Sequence, residues 1–259
     1  MRHTVVLAII LANAWTSDAQ APTFEVASVK RNTSDEPVGG SISPPVGGRF
    51  QANNVTLRTL IRTAYDVQNF QISGGPKWLD ADKFDVNAKA AGSATWPETR
   101  LMLQDLLATR FKLLLTRESR PMPAYALEIG KNGPKLSPPT DPGCQPPPIG
   151  ACSGLRFANR KALSGINVST TQLAQVLTTL MGRPVIDETG LHSIFDFKMD
   201  FVLDLPRSEQ AQGADDGGAQ SPGPSVFTSL QEQLGLKLVP KKDPVEILVI
   251  SEGERPTPN

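Results

Sequence analysis

Chemistry has few places to reside in this chain. It holds two histidines, His3 and His192, and two cysteines, Cys144 and Cys152. That excludes a multi-histidine zinc centre or a four-cysteine zinc knot. His192 has Asp187 and Asp196 near it in sequence, the kind of partner a histidine general base needs. It stands in Thr189-Gly190-Leu191-His192-Ser193, a turn, and reads as a surface position. Asp187-Glu188 and Asp215-Asp216 are adjacent carboxylates of the type used in acid–base or calcium chemistry. The first pair falls in a turn and the second in a polar loop, so both read as solvated surface. The chain has no Gly-x-Ser-x-Gly elbow and no phosphate loop. Gly74-Gly75-Pro76 lacks the further glycine and the helix of a dinucleotide fingerprint. No catalytic, cofactor-binding or metal-binding set is expected.

Binding chemistry has better candidates. Trp78 follows the turn Ser73-Gly74-Gly75-Pro76, where a large aromatic either meets a ligand or plugs the core. The core is the favoured reading. Arg58 and Arg62 recur one turn apart on the polar face of a helix; they are placed for an anionic group or simply for solvent. Cys144 and Cys152 fit a disulfide closing a small loop, if the compartment is oxidising. The alternative is a pair of free thiols.

Composition bounds the rest. The 259 residues carry 26 Lys+Arg against 26 Asp+Glu, a formal net charge of zero, which argues against a nucleic-acid binder. With 39% apolar residues the chain can bury a core and is not disordered throughout. Arg2 and His3 precede the apolar run Val5–Ala12, which is too short to span a bilayer. Ser17 and Ala19 then match a cleavage site. Residues 1–19 read as a signal peptide, with a cut after Ala21 as the alternative. The protein is expected to be exported, periplasmic or extracellular, with no transmembrane span after cleavage.

The elements that must position the candidates occur in the same order twice. Leu57, Leu60, Ile61, Ala64 and Tyr65 form one helix face, and Leu173, Val176, Leu177, Leu180 and Met181 form another with the same spacing. Thr56 can cap the first helix, and Ser169 or Thr170 the second. Strands Phe70–Ile72 and Lys83–Ala88 follow the first helix; strands Pro184–Ile186 and Ile194–Met199 follow the second. Each half then offers a second helix, Glu98–Thr109 or Ser225–Leu234. Two strands close each half: Phe111–Leu115 and Ala124–Ile129, then Leu236–Val239 and Val245–Ile250. Asp85 and Asp196 hold matching strand positions and read as blunting a sheet edge.

These patterns predict an α+β protein of two related modules, each two helices packed on a small, mainly antiparallel sheet. The first module spans 22–136 and the second 161–252, separated by a proline-rich, disulfide-locked linker at 137–160 that acts as a hinge. Residues 206–224 read as a disordered loop within the second module, Val38–Gly48 as a loop, and Glu254–Asn259 as a frayed tail.

Several segments resemble a known family. Phe24–Lys30, Gly48-Arg49-Phe50, Asn54–Leu57, Ile72–Asp80 and Met102–Leu113 are similar to its pattern. So are Lys131–Leu136, Gly182–Val185, Asp187–Leu191 and Gln231–Leu238. Together they resemble the "soil-associated" exported bacterial proteins, a domain of unknown function, over nearly the whole mature chain. Related domains occur behind membrane metallopeptidases, which implies an envelope sensing or interaction role; this chain lacks the His-Glu-x-x-His motif, so no protease role follows. Each half also resembles, through Leu173-x-x-Val176-Leu177, Gly182, Phe195-Asp196-Phe197 and Leu230 with Leu234-Gly235-Leu236, the short N-terminal module of secretins and TonB-dependent receptors. That likeness is an analogy about function.

The expected function is a non-catalytic interaction or sensing module that binds another envelope protein or peptide by sheet-edge addition or through a helix face. A small-ligand or glycan binder with a site between the modules, near Trp78, is the alternative. A hydrolase using carboxylates or His192 ranks behind both.

Overall fold

The computed structural model describes residues 21–35, 39–140, 154–158, 161–202 and 224–257. The expected signal peptide, Cys144, Cys152, Asp215-Asp216 and all but the last residue of the expected 206–224 loop lie outside the described residues. The chain divides into two compact units. One contains the described residues up to Asp66, Pro76–Leu113 and the chain from Glu252 onward; the other contains Val67–Gly75 and Leu114–Ser251.

The first unit is built on a four-stranded antiparallel sheet. Its strands are β1 (Val26–Asn32), β2 (Ser41–Val46), β3 (Arg49–Thr56) and, after α1 (Leu57–Tyr65), β4 (Ile72–Gly74) and α2 (Trp78–Ala81), β5 (Lys83–Lys89). The order is β1-β5-β3-β2; β4 belongs to the other unit. Alternation decides the two faces. Val29, Phe50, Ala52, Phe84, Val86 and Ala88 are buried. They meet α1, α2 and α3 (Trp96–Arg110), which contribute Leu57, Leu60, Ile61, Leu79, Met102, Leu103, Leu106 and Leu107. Phe84 and Phe111 meet edge to face at 5.1 Å. α3 starts on a capping box of Thr95 and Glu98, with Pro97 in the first turn.

The second unit holds two sheets. After β6 (Leu114–Ile129) come β7 (Gly154–Ala158), β8 (Ala162–Ser169), α4 (Thr170–Met181), β9 (Val185–Asp187) and β10 (Ile194–Asp200). α5 (Val226–Ser229) runs into a π-helical turn, Leu230–Leu234, before β11 (Leu236–Glu252). One sheet has the order β10-β8-β7 and the other β4-β11-β6-β9. β4 pairs in parallel with β11 at Leu248–Ile250, and β9 in parallel with β6 at Tyr125–Leu127. Between β6 and β11, Arg117 meets Glu246, Lys237 meets Glu128 and the Ser251 hydroxyl donates to the Leu114 carbonyl. These contacts run in opposite order, so the two long strands are antiparallel.

The expectation of two helix-on-sheet modules is corrected here. Among the described residues the protein is mostly β, 45% strand against 26% helix, in three sheets, and is α+β only in a loose sense. Each expected strand pair at the end of a half is one continuous strand, β6 or β11. Pro121, Pro123, Pro240 and Pro244 argued for a break in the middle. They are tolerated because the short strands β9 and β4 pair only with Tyr125–Leu127 and Leu248–Ile250, away from the prolines. Strand also appears within the expected loop Val38–Gly48, where β2 carries Pro44-Pro45 on an outer edge. Within the expected tail Glu254–Asn259, Glu254 is fastened: its N–H donates to the Phe111 carbonyl at 2.6 Å.

A matched local arrangement ties the two units' sequences together. Asn54 and Asn167 both take the left-handed conformation, with φ of 55° and 50°. Each sits at a bulge just before a helix cap, Thr56 on α1 and Ser169 on α4. The Asp85 carboxylate accepts the Asn54 N–H at 2.8 Å, and the Asp196 carboxylate accepts the Asn167 N–H at 2.8 Å. These aspartates brace the bulges; β5 lies inside its sheet, so Asp85 blunts no edge, while Asp196 does stand on an edge strand, β10. The match also resets the helix alignment. Asn54-Val55-Thr56 answers Asn167-Val168-Ser169, so Leu60 corresponds to Leu173. The face pattern alone pairs Leu57 with Leu173, about one turn out of step, because a periodicity near 3.6 cannot fix its own phase.

Candidate binding surface

Trp78, Arg58 and Arg62 all lie in the first unit, and the structure does not bring them to one site. Arg58 is held by both carboxylate oxygens of Asp80. Arg62, one turn on, is exposed. The two arginines therefore do not form an anion clamp. Trp78 is half-buried. Its ring meets Phe84 edge-on at 6.3 Å, and the Arg255 guanidinium lies 5.3 Å over its face. Arg255 also donates to buried Asp82 at 2.6 Å, which accepts from Arg31 at 3.1 Å. This is a clasp for the end of the chain. Arg255→Ala removes a charged hydrogen bond and the ring's cover, at an expected cost of about 1–2 kcal/mol. In a Trp96→Phe background, Trp78 emission should shift to the red and the urea midpoint should fall; unchanged emission would contradict the clasp.

The acid–base candidates are also occupied. The Asp187 carboxylate accepts from the hydroxyls of Thr170, Thr171 and Thr189 at 2.7–2.9 Å. Burial raises its pKa, but hydrogen bonds from Thr189, Thr170 and Thr171 outweigh that and hold it below the ordinary carboxylate range. None of its partners is His192, which is exposed. Glu188 pairs with Lys241, whose amine is raised to about 12 by Asp243 and Glu188. Asp196 is lowered by the Thr140 hydroxyl and the Asn167 N–H. Among the described residues no cluster of His, Cys, Asp or Glu is placed to hold a metal ion.

Asp187 has a stability signature with a definite sign. Its folded pKa lies below its unfolded one. Its contribution is therefore full above about pH 4 and is lost as pH falls through the folded value. Asp187→Ala removes the acceptor shared by Thr170, Thr171 and Thr189, leaving the buried Thr170 hydroxyl only the Leu191 carbonyl at 3.3 Å and the buried Thr189 hydroxyl only Thr170 at 3.1 Å, and should cost about 2 kcal/mol at pH 7. Urea midpoints measured down the acid range should converge with wild type. A pH-independent gap would show that its ionised form carries no stability.

Sequence reasoning missed the outer face of the first sheet, opposite α1–α3. Register places Ser28 opposite Asn87, Asn87 opposite Gln51 and Gln51 opposite Ser43, a polar row crossing all four strands. The Gln51 amide donates to the Asn87 side-chain oxygen at 3.2 Å. One Asn87 N–H pair and the Gln51 oxygen therefore remain to face solvent. The next row holds Val26, Lys89, Arg49 and Val46, with Val26 64% and Val46 75% exposed. Arg49 and Lys89 stand directly opposite each other, and Lys30 lies on the other side of the polar row. Among the described residues none of these three cations has an acidic side chain within ion-pair distance. A shallow depression of about 330 Å³ opens against Val26, Ser28, Arg49, Gln51, Asn87 and Lys89. The strand alternation that exposes these residues was legible; β2 and β3, needed to assemble the row, were not recognised.

A second depression, of about 390 Å³, lies in the other unit beside Asn132, Lys135, Phe227 and Gln231. Its cation is engaged, since the Lys135 amine donates to the Glu232 carbonyl at 2.7 Å. Phe227 packs on Tyr125 at 5.5 Å. The sheet face is the better candidate. No helix among the described residues is long and apolar enough to cross a membrane.

No curated protein and no solved structure matches this chain. Residues 58–252 match the model of a family described as a protein of unknown function, DUF3738. That match covers most of the chain, from α1 to the end of β11, and on it the chain belongs to the DUF3738 family.

Proposed function

We propose that this protein is an exported, non-catalytic binding module and that the outer face of its first sheet is the working surface. The observation that carries this reading is the Arg49–Lys89 pair. Like charges directly across a sheet are unfavourable, and nothing in the fold requires them there. A ligand of opposite charge would relieve the repulsion. Export rests on the signal-like N-terminus and on the resemblance to soil-associated exported proteins. The matched Asn54–Asp85 and Asn167–Asp196 contacts support an origin by internal duplication.

Edge addition, one of the two modes expected from the sequence beside a helix face, is poorly served at five of the six sheet edges among the described residues, all but β7. β2 is blunted by Pro44-Pro45. On β10, Asp196 is bridged by Ser137, while the Gln233 amide accepts the Asp200 N–H and donates to the Asp200 carbonyl, both at 2.9 Å, as a neighbouring strand would. On β1, Arg110 donates to the Ala27 carbonyl. β4 and β9 are three residues each.

The test is a photo-crosslinking residue placed at Gln51 on the face, or at Arg62 on α1, in the producing cell. Adducts from position 51 and none from 62 are expected, with mature protein starting at Gln20. Adducts from 62 alone would replace the face with a helix surface.

A further inference from the structure

Resting on that reading of the face, we infer that its ligand is an acidic glycan, a sugar chain bearing carboxylates. Three features select this class. Arg49, Lys89 and Lys30 flank the polar row on both sides, in a chain whose formal net charge is zero. The positive charge is therefore local, and it suits a ligand with repeated negative groups. Between the cations, Ser28, Asn87, Gln51 and Ser43 present hydroxyls and amides that both donate and accept. Sugar hydroxyls need that pairing; an isolated anion does not. The row crosses four strands, about 14 Å at the usual strand spacing, which seats more than one sugar unit.

The third feature is what the face lacks. Its large exposed apolar side chains are Val26 and Val46, which stand at opposite ends of one row with Lys89 and Arg49 between them and form no cluster, and no aromatic stands in either row. A protein interface is usually anchored by a desolvated aromatic or aliphatic cluster, and a single-stranded nucleic acid by aromatic stacking. Val26 and the aliphatic stems of Arg49 and Lys89 are enough to cover the C–H face of a sugar ring. Asp85, in the row of Lys30, does not oppose the ligand's charge freely, since Asn32 and the Asn54 N–H already hold its oxygens.

The test titrates the mature chain with oligogalacturonate in a calorimeter, with its carboxyl-reduced neutral counterpart and a single-stranded DNA oligomer as comparisons. Oligogalacturonate should bind, weaken at least tenfold between low and high salt, and weaken at least tenfold with Arg49→Gln or Lys89→Gln. Both positions are exposed, so near-UV circular dichroism should be unchanged. Gln51→Ala should lower affinity several-fold without changing the salt slope. Equal binding of the neutral oligomer overturns the acidic requirement, and equal binding of DNA overturns the glycan. No binding of any probe, with position-51 crosslinks to a protein, overturns the glycan and leaves the face reading standing. No binding and no position-51 crosslink overturns both.

Discussion

Expressed as separate chains, residues 22–136 and 161–252 will behave unequally, and the second will not fold alone. The sheet β4-β11-β6-β9 alternates strands from the two halves of the sequence. Without 22–136, β11 loses both neighbours and β9 loses its pairing with Tyr125–Leu127. The core around Leu163, Leu173, Leu177 and Leu230 loses Leu127, which is fully buried in it, together with Tyr125, Ile129 and Leu136. Losing one buried leucine costs about 2–5 kcal/mol, and a whole domain is stable by only about 5–15 kcal/mol. The fragment should give no cooperative urea transition and poor dispersion in an NMR spectrum. The 22–136 fragment keeps its four-stranded sheet and α1–α3 but leaves the 16-residue β6 with no partner, an open edge that should drive association. Mixing the two should restore a dispersed spectrum in a one-to-one complex. A cooperative transition from 161–252 alone would show that each half is a self-sufficient module after all.

That outcome bears on what the sequence can disclose. Helices were legible because caps and stops are local: Thr95 with Glu98, Ser169 with Gln172, and Gly182 in a left-handed C-cap all fall where side-chain chemistry places them. The short strands after each helix were legible from their apolar residues. Which strands pair was not, because pairing is decided by contacts distant in sequence. β6 and β11 carry internal prolines, and only their partners reveal why these do no harm. The face of the first sheet hid for the same reason. Ser28, Gln51 and Asn87 are ordinary polar residues in sequence, and register alone puts them in a row. Arg58 and Arg62 looked like a pair because helix spacing is predictable, whereas the Asp80 that holds Arg58 comes from a different element. Trp78 was read as core, and the structure adds that a residue from the far end of the chain, Arg255, covers it.

At Gly235 a single methyl group should do large damage. It ends the π-helical turn in the left-handed conformation, φ 66°, and starts β11. Gly182 ends α4 in the same way, φ 59°. Both substitutions to alanine carry the conformational cost of a non-glycine residue there, about 1 kcal/mol. Their surroundings differ. A Cβ at Gly182 meets nothing within 4 Å, while a Cβ at Gly235 would stand 2.0 Å from the Gly133 carbonyl oxygen and 3.1 Å from the Lys135 nitrogen. Neither neighbour can swing aside. The Gly130 N–H donates to the Gly235 carbonyl and the Lys135 N–H to the Leu234 carbonyl, both at 2.8 Å, so the 130–135 loop is fastened across this turn. Relieving the clash means breaking those bonds and moving β11 away from fully buried Leu230 and Leu127. Gly182→Ala should lower stability by about 1 kcal/mol. Gly235→Ala should lower it by more than about 4 kcal/mol, the range reserved for packing failure. Urea denaturation of the pair separates the two terms. Equal losses would mean that the loop yields freely and that only the backbone conformation matters.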